Sequence, residues 1–590
     1  MKATFFRYAS AMATSVLCSG LGSTSSYAAT LKLPFIEGLI VEPVTFDSRP
    51  TSPKDLPALA RIGAANYADV GNIGDMLGDD LTNARRLSER LSTLRNLRTD
   101  PVPLNNLAVV AHQFWSSHTI AKTPTEPTEQ TPIQVFGPVA GDLRTPADPL
   151  LAGGVGEIAF ARSVLANGSG VTTPRAHVNE VSAKWDASPV YGSFLEENLR
   201  LRADDFATTG KLKTGENGDL PVIDGRPSAG DARADENPNL QSFHALWLRE
   251  HNRLADDIAS SCPGCSGEEI FAAAQKLNAN LQFKVIYDEL LPALLGPGSL
   301  ESHLPDPSKI PAVENVFTEF SAAAGRIGHT QVPDTILLSN PDGSEKASVP
   351  LSDCFFASDC LGGATETEKL LGALLQPAEA IDLHVVPGLQ DLLVLTPFGP
   401  AAADLKAINI QRGRDHGLPG YLAMRHALGF DDVPLDDLLP SDVLDAYGII
   451  DGVGGLDGDI DLLIGLFAEH RDSVTDFLGS TGKALWAAQF IALQETAPGA
   501  SDAETQEWLE AWRSEQSMAD VLFRDAQSFG IDFDTTLVGR NVFFADGYGG
   551  PGIAAAVPLP GSLMALLTGL GALGSAASRR RFNARSLLKG

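Results

Sequence analysis

Four separated segments of this chain carry side chains that could act together on a metal and a small polar substrate. They span residues 113–118, 231–236, 325–330 and 409–416. A neutral imidazole binds transition metals, and a second imidazole can serve as a general base. An arginine stabilises developing negative charge, and an asparagine can orient a ligating ring. The four segments together predict a metal centre with acid–base chemistry beside it.

Helical periodicity supplies the frame for these segments, whereas strand alternation is scarce. The pattern predicts helices over residues 83–97, 104–118, 240–258, 268–295, 312–326, 418–428, 440–447 and 473–494. Loops rich in Pro, Gly and Asp separate them, and long loops of this kind are often functional. No composition shift marks a boundary, so we expect one large, mainly α domain with little β over residues 46–545.

The composition supports a globular protein and limits its partners. Hydrophobic residues make up 44% of the 590 residues and charged residues 20%, which suits a substantial core. The formal net charge of −30 argues against binding to nucleic acids or to anionic membranes, because both require basic patches.

The N-terminal residues 1–29 predict a secretory signal peptide. Lys2 and Arg7 precede a weakly apolar run, and the small residues Ser26 and Ala28 offer a cleavage site. We therefore expect the folded part to be secreted or displayed at the cell surface.

The C-terminal residues 557–581 predict a sorting signal. The sequence VPLP leads into an apolar run over 561–577, and three arginines follow at 579–581. The run is close to the shortest that spans a bilayer. This arrangement resembles bacterial exosortase-type signals, which implies export and sorting machinery as partners and a temporary anchor. A permanent C-terminal membrane anchor is the alternative.

The cysteine count agrees with export. Cys18 falls in the signal peptide, which leaves four: Cys262, Cys265, Cys354 and Cys360. The CPGC sequence could form a redox pair or half of a zinc site, but no second CxxC follows it. Local disulfides, 262 to 265 and 354 to 360, are favoured, although the sequence leaves the connectivity open.

Three longer motifs resemble the animal-type haem peroxidase, or peroxidase–cyclooxygenase, superfamily. They are HALWLREHNRLA at 244–255, YDELLPALLG at 287–296 and QRGRDHGLPGY at 411–421. The resemblance runs from about Arg61 to Phe544. It implies a mainly helical haem-peroxidase domain with haem b, which reduces hydrogen peroxide and oxidises a small electron donor such as a halide or a phenol.

The resemblance also implies roles for the residues that bind the cofactor. His329 would ligate the haem iron, and Asn409 would accept the N–H of the same ring. Arg326 and Arg412 would pair with the haem propionates.

On the other side of the haem, the resemblance implies a peroxide-activating group. His118 would take a proton from hydrogen peroxide and return it to the leaving oxygen. Arg233 would stabilise the charge that develops as the O–O bond breaks. Gln113 would line the same space.

The spacing of Gln113 departs from the family pattern, in which the glutamine lies four residues before the histidine. Here it lies five residues before His118. A regular helix would turn the two side chains apart by about 140°. Either a π-bulge restores a common face, or Gln113 leaves the cavity. Because the family glutamine takes part in halide binding, the spacing leaves halide oxidation open.

A second departure concerns the covalent attachment of haem. Ser117 stands where mammalian members have an aspartate esterified to haem, and a hydroxyl cannot form that ester. Glu236 matches the second ester-forming position, and Asn237 lacks the sulfur of a sulfonium link. We therefore expect at most one ester bond, through Glu236.

The loop at 182–188 resembles the calcium loop of the family. Ser182, Asp186, Ser188 and the carbonyl of Lys184 would supply the hard oxygen ligands that Ca²⁺ prefers. However, Thr119 replaces the aspartate that should follow the distal histidine. A hydrogen-bonded loop without metal is the alternative.

Two rival functions remain at this stage. A haem-dependent fatty-acid dioxygenase would need a tyrosine three residues before the ligating histidine, where this chain has Arg326. A non-catalytic surface or adhesion protein on the same fold would explain the changes at Ser117 and Thr119. The intact His118, Arg233 and His329 oppose it.

Overall fold

The structure is a computed structural model that describes residues 33–40 and most of 45–545. The gaps in the second range are 70, 79–81, 93, 95–103, 136–147, 358–359, 391, 397–398, 449–454, 457, 473–475 and 532–540. The predicted signal peptide and the predicted C-terminal sorting signal lie outside the described residues.

Helices dominate the described part of the chain, so the prediction of a mainly α fold is confirmed. They are α1 (Leu33–Ile40), α2 (Ala84–Ser92), α3 (Asn106–His112), α4 (Pro149–Ala152), α5 (Ser188–Tyr191), α6 (Leu195–Leu201), α7 (Phe206–Thr209), α8 (Pro238–Ser261), α9 (Gly267–Val285), α10 (Leu291–Leu295), α11 (Thr318–Ala322), α12 (Gly328–Gln331), α13 (Glu366–Leu375), α14 (Pro387–Gln390), α15 (Leu405–Asp415), α16 (Tyr421–Leu428), α17 (Leu435–Leu438), α18 (Ser441–Ala446), α19 (Leu462–Ala468), α20 (Ser480–Leu493), α21 (Ala503–Ser514) and α22 (Met518–Ser528).

The described strands form only two-stranded antiparallel ribbons. The strands are β1 (Thr125–Gln130), β2 (Ile133–Gln134), β3 (Glu157–Ile158), β4 (Ala161–Ser163), β5 (Val222–Ile223), β6 (Arg226–Pro227), β7 (Thr335–Ser339), β8 (Glu345–Pro350), β9 (Leu392–Thr396) and β10 (Gly399–Ala403). The pairs are β1 with β4, β2 with β3, β5 with β6, β7 with β8 and β9 with β10. Ribbons this short lie on the helical core and do not form a separate β layer.

The core is organised around the long helix α8, which packs against α9, α13 and α3. Its N-terminus is capped by Asn237, whose side-chain oxygen accepts a hydrogen bond from the backbone N–H of Leu240 at 3.0 Å. Buried aromatic rings of α8, including Phe243 and Trp247, meet Trp115 from the segment that follows α3. This packing fixes the chain around Trp115, which leads directly to His118.

A fully buried arginine ties α2 to the start of α15. The guanidinium of Arg85 donates to both carboxylate oxygens of Asp148 at 2.9 Å and to Asp404 Oδ2 at 2.6 Å. Asp404 in turn caps α15 through the backbone N–H of Ala407. Buried ion pairs hold position strongly because losing one partner leaves an uncompensated charge. The network therefore sets where α15 begins.

One helix prediction is wrong and one helix was missed, each for an identifiable reason. Residues 312–326 do not form one helix, because the chain bridges to Ala60 before α11 begins at Thr318. Tertiary pairing here overrides the local periodicity. Helix α15 was not predicted, because it buries Lys406, Asn409 and Arg414 and so has no apolar stripe.

Both favoured disulfides are present in the structure. Cys262 pairs with Cys265 just after α8, and Cys354 pairs with Cys360. Within the part of the chain that is described, no helix is long and apolar enough to cross a bilayer.

Candidate active site

The four segments singled out in the sequence meet at one cavity of about 410 Å³. Its lining includes residues that we predicted to act there, namely Gln113, His118, Arg233, Glu236, Arg326, His329 and Arg412. Asn409 stands behind His329, to which it is hydrogen bonded. A cavity of this size falls within the range of cofactor pockets.

His329 lies on the short helix α12, and burial keeps its ring neutral. Burial, then the positive charge of Arg326 and the neighbouring His112, lower the pKa of His329 to about 3. A neutral imidazole is the form that ligates metals. Its Nδ1 lies 2.7 Å from Asn409 Nδ2.

The Asn409 amide lies between the His329 ring and Arg326. Its nitrogen faces Nδ1 of the ring, and its oxygen accepts a hydrogen bond from Arg326 Nη1 at 3.1 Å. A half-turn of the amide exchanges its two end atoms. The oxygen would then accept the ring N–H, as the sequence predicts, and the other ring nitrogen would be free to ligate a metal.

The cavity holds more positive charge than its described neighbours balance. Among the described residues, no carboxylate pairs with Arg326, whose pKa falls to about 10 through burial and the nearby Arg412 and Arg233. Arg412 is anchored by bonds from Nη1 to Ser163 Oγ at 2.7 Å and Asp415 Oδ2 at 3.0 Å. Two cations at one cavity favour an anionic ligand.

A π-helical segment, Gln113–Thr119, follows α3 directly. It brings both Gln113 and His118 to the cavity despite their five-residue spacing, so the first of the two alternatives is correct. The amide of Gln113 donates from Nε2 to Glu236 Oε2 at 2.6 Å. Gln113 therefore lines the cavity and also positions the carboxyl group of Glu236.

Arg233 is held on two sides. Its Nε and Nη2 donate to the two carboxylate oxygens of Asp231 at 2.8 and 2.7 Å. Its Nη1 donates to Ser117 Oγ at 3.3 Å. Burial alone would raise the pKa of Asp231, but Arg233 and His118 lower it below its ordinary value. Ser117 thus positions Arg233, which the sequence did not indicate.

His118 is buried, and within the described part of the chain its ring is hydrogen bonded to another histidine. Its Nδ1 lies 3.1 Å from Nε2 of His244, whose Nδ1 lies 3.3 Å from the carbonyl oxygen of Pro189. Burial, with Arg233 as the second cause, lowers the pKa of His118 well below its ordinary value. The sequence placed His244 in a family motif but assigned it no role.

The predicted calcium loop folds around the buried carboxyl group of Asp186. Ala183 and Ala187 adopt left-handed backbone conformations with φ of 54° and 57°, which turn the loop tightly. Asp186 Oδ1 accepts the backbone N–H of Ser188 at 2.9 Å, and the buried Ser182 hydroxyl lies beside the same carboxyl group. Burial raises the pKa of Asp186. Lys184 is exposed.

Residues 48–527 match the sequence profile of the family described as animal haem peroxidase. The chain belongs to the animal haem peroxidase family. Peroxinectin A of Dictyostelium discoideum is 29% identical over 316 residues, which are 50% of this chain and 57% of that protein. Human myeloperoxidase is 33% identical over 320 residues, 48% of this chain and 42% of that protein. These alignments thus span about half the length of each relative.

Solved structures of haem peroxidases and related enzymes share the fold. Peroxidase A from D. discoideum superposes with a TM-score of 0.66 at 22% identity, covering 82% of this chain and 97% of that one. Fatty acid alpha-dioxygenase from Oryza sativa superposes with a TM-score of 0.60 at 18% identity, covering 85% and 89%. At these identities the likeness concerns the fold alone.

Glu236 gives this protein a testable pH dependence. Burial raises its pKa to about 7, although Arg233 opposes the shift. An unfolded glutamate titrates near pH ~4.3. The folded protein thus binds this proton more tightly, so the stability it contributes is present below about pH 4 and is lost as the pH rises to about 7.

We expect the haem-free wild type to lose more unfolding free energy between pH 5 and 8 than Glu236→Gln, by on the order of 2 kcal/mol. Urea unfolding at both pH values measures it. The control Glu504→Gln, at an exposed position of α21, should behave as wild type. Equal losses in wild type and Glu236→Gln would contradict the shift.

Proposed function

We propose that this protein is a haem peroxidase that reduces hydrogen peroxide and oxidises small electron donors. The observation that carries the proposal is one cavity whose lining includes the neutral imidazoles of His118 and His329. Three arginines also line it: Arg233, Arg326 and Arg412. Family membership supports the same activity.

The residues of the cavity fit a haem group. His329 would ligate the iron, and Arg326 and Arg412 would bind its propionates, which supply the negative charge that the cavity lacks. His112 also lines the cavity, and both of its ring nitrogens are buried without hydrogen-bond partners. An added Cβ at Gly328 would lie 2.8 Å from the His112 ring, so glycine is needed where the two walls meet. Bound haem would supply the redox-active iron.

The chain itself would manage the proton and the charge of the peroxide. Nε2 of His118 would take the proton of hydrogen peroxide and return it to the departing oxygen. Arg233, fixed by Asp231 and Ser117, would stabilise the charge that develops on oxygen. Because both groups are held before the substrate arrives, little reorganisation is needed during the reaction.

The choice of electron donor depends on the part of the cavity that Gln113 and His118 line. Because Gln113 lies in the cavity, halides remain candidate donors beside phenols. The fatty-acid dioxygenase alternative is less supported, because Arg326 stands where that reaction needs a tyrosine. The non-catalytic alternative is opposed by the complete set of charged and imidazole groups in the cavity.

We expect the haem-loaded wild type to show a Soret band that changes on adding hydrogen peroxide. Arg233→Ala should slow that change roughly 100-fold or more, because one distal donor is lost. Stopped-flow absorption measures it, followed by a donor panel of bromide, iodide and phenols. The matched control is Arg200→Ala, a surface arginine paired with Asp224. A wild type without a Soret band would reject the proposal, and unchanged kinetics in Arg233→Ala would reject the role of that residue.

We further propose one ester bond between haem and Glu236. In forming it, a C–H bond of the haem would be replaced by a C–O bond to the carboxylate, and one hydrogen peroxide would take up the two electrons and two protons to give two waters. The Glu236 carboxyl group lines the cavity, is held there by Gln113, and has a pKa of about 7 that keeps a fraction protonated near neutrality. Mass spectrometry of acid-extracted haem from peroxide-treated protein should find it attached to the peptide that contains Glu236. Glu236→Gln should release all haem, and free haem from the wild type would contradict the bond.

We also propose that the loop at 182–188 binds calcium. Among the described residues, no lysine or arginine pairs with Asp186, and Ser188 Oγ lies 3.3 Å from the carbonyl oxygen of Thr119, so several oxygens gather there. We expect calcium to raise the melting temperature of the wild type, whereas Asp186→Asn should lose that response. Calorimetry with calcium and with chelator measures it. An equal melting temperature in both would favour the metal-free loop.

A further inference from the structure

His244 has two hydrogen-bond partners that fix its ring between the active-site wall and a backbone turn. It lies on α8, and its side chain is only 1% exposed. Nε2 faces His118 at 3.1 Å, and Nδ1 faces the carbonyl oxygen of Pro189 at 3.3 Å. Phe114 packs edge-on against the ring, with centroids 4.6 Å apart. Each nitrogen therefore has one partner, and the ring cannot turn without losing both.

The Pro189 carbonyl determines where the protons lie. A carbonyl oxygen can only accept, so Nδ1 of His244 carries the hydrogen. Burial lowers the pKa of His244 to about 4, so the ring is neutral and its Nε2 has a free lone pair. Nδ1 of His118 must then donate to that lone pair. In a neutral imidazole this leaves Nε2 of His118 unprotonated.

The other charged groups around His118 do not change this result. Asp231 Oδ1 lies 3.9 Å from the same Nδ1, outside hydrogen-bond range, and it too could only accept. Its negative charge is already paired with Arg233. Arg233 and Lys122 contribute positive charge, which disfavours a resting imidazolium. A neutral acceptor such as His244 orients the ring without holding an extra proton on it.

We propose that His244 is a positioning residue that keeps His118 in the tautomer whose Nε2 can accept the proton of hydrogen peroxide. This inference rests on the proposed function. When His118 takes the proton, both of its ring nitrogens carry hydrogen, and Nδ1 continues to donate to His244. When the proton returns to the departing oxygen, the starting tautomer is restored. No proton needs to leave the pair.

The test compares three variants of helix α8. His244→Leu removes the acceptor, whereas His244→Gln keeps an amide oxygen that can accept from His118. His251→Leu is the matched control, because His251 is equally buried on the same helix and is also bonded at both nitrogens. Its partners are Tyr191 and Gly210, whereas His244 is bonded to His118. His244→Met replaces His244→Leu if the latter does not fold.

The first readout does not use haem. Nitrogen-15 NMR of the histidine-labelled, haem-free protein, with His118→Gln for assignment, reports which ring nitrogen of His118 carries the hydrogen. We expect Nδ1–H in wild type, His244→Gln and His251→Leu, and a shift toward Nε2–H in His244→Leu. An unchanged tautomer in His244→Leu would overturn the proposal.

The second readout is the rate of peroxide reaction and of cyanide binding across pH in the haem-loaded protein. We expect His244→Leu to be slower by roughly 10- to 100-fold, as is typical when a histidine loses its orienting partner. His244→Gln should recover most of that rate. If His251→Leu lost as much of the peroxide reaction rate, the loss in His244→Leu would be explained by destabilisation of the fold, and the positioning role of His244 would be rejected. A wild type that fails to react with peroxide would reject the proposed function, while the NMR result would still decide the tautomer.

Discussion

The site depends on the register of one continuous segment, α3 and the π-helical turn that follows it, because this segment contacts four other parts of the site. His112 meets Gly328, one residue before the predicted iron ligand. Phe114 packs on His244, and Ser117 bonds to Arg233. The carbonyl of Thr119 accepts a hydrogen bond from Ser188 in the predicted calcium loop. A shift of one residue along this segment would misplace all four contacts at once.

Burial then sets the charge states of the ionisable side chains that meet at the cavity. Ion pairs are satisfied at the edge of the cavity, where Asp231 pairs with Arg233, and outside it, where Arg85 pairs with Asp404. At the centre the imidazoles are neutral, and the pKa of Arg326 is lowered because no described carboxylate balances it. A buried cation without a counterion is costly, so an anionic cofactor would stabilise the folded protein as well as equip it for chemistry.

The sequence predicted the parts of this site more fully than their arrangement. Amphipathic helices such as α8 and the motif around Arg412 were found, because apolar periodicity and residue type are local properties. Helix α15 was missed, since its buried polar residues remove the periodic signal. The contact between His118 and His244 joins residues 126 positions apart, so no local pattern encodes it. The contacts of Asn409 with Arg326 and His329 likewise join residues 83 and 80 positions apart.

The π-helical turn at Gln113–Thr119 also bears on how such chains change length over evolution. A π turn accommodates one extra residue inside a helix without displacing the helix on either side. The wall of the cavity therefore tolerates a single-residue insertion. In a strictly α-helical segment the same insertion would rotate the following side chains away from the cavity. Four residues before His118, about one α-helical turn, lies Phe114, which packs on His244, whereas Gln113 lines the cavity. The side chain that shares the cavity with His118 is therefore set by the π turn and is not found by counting α-helical turns.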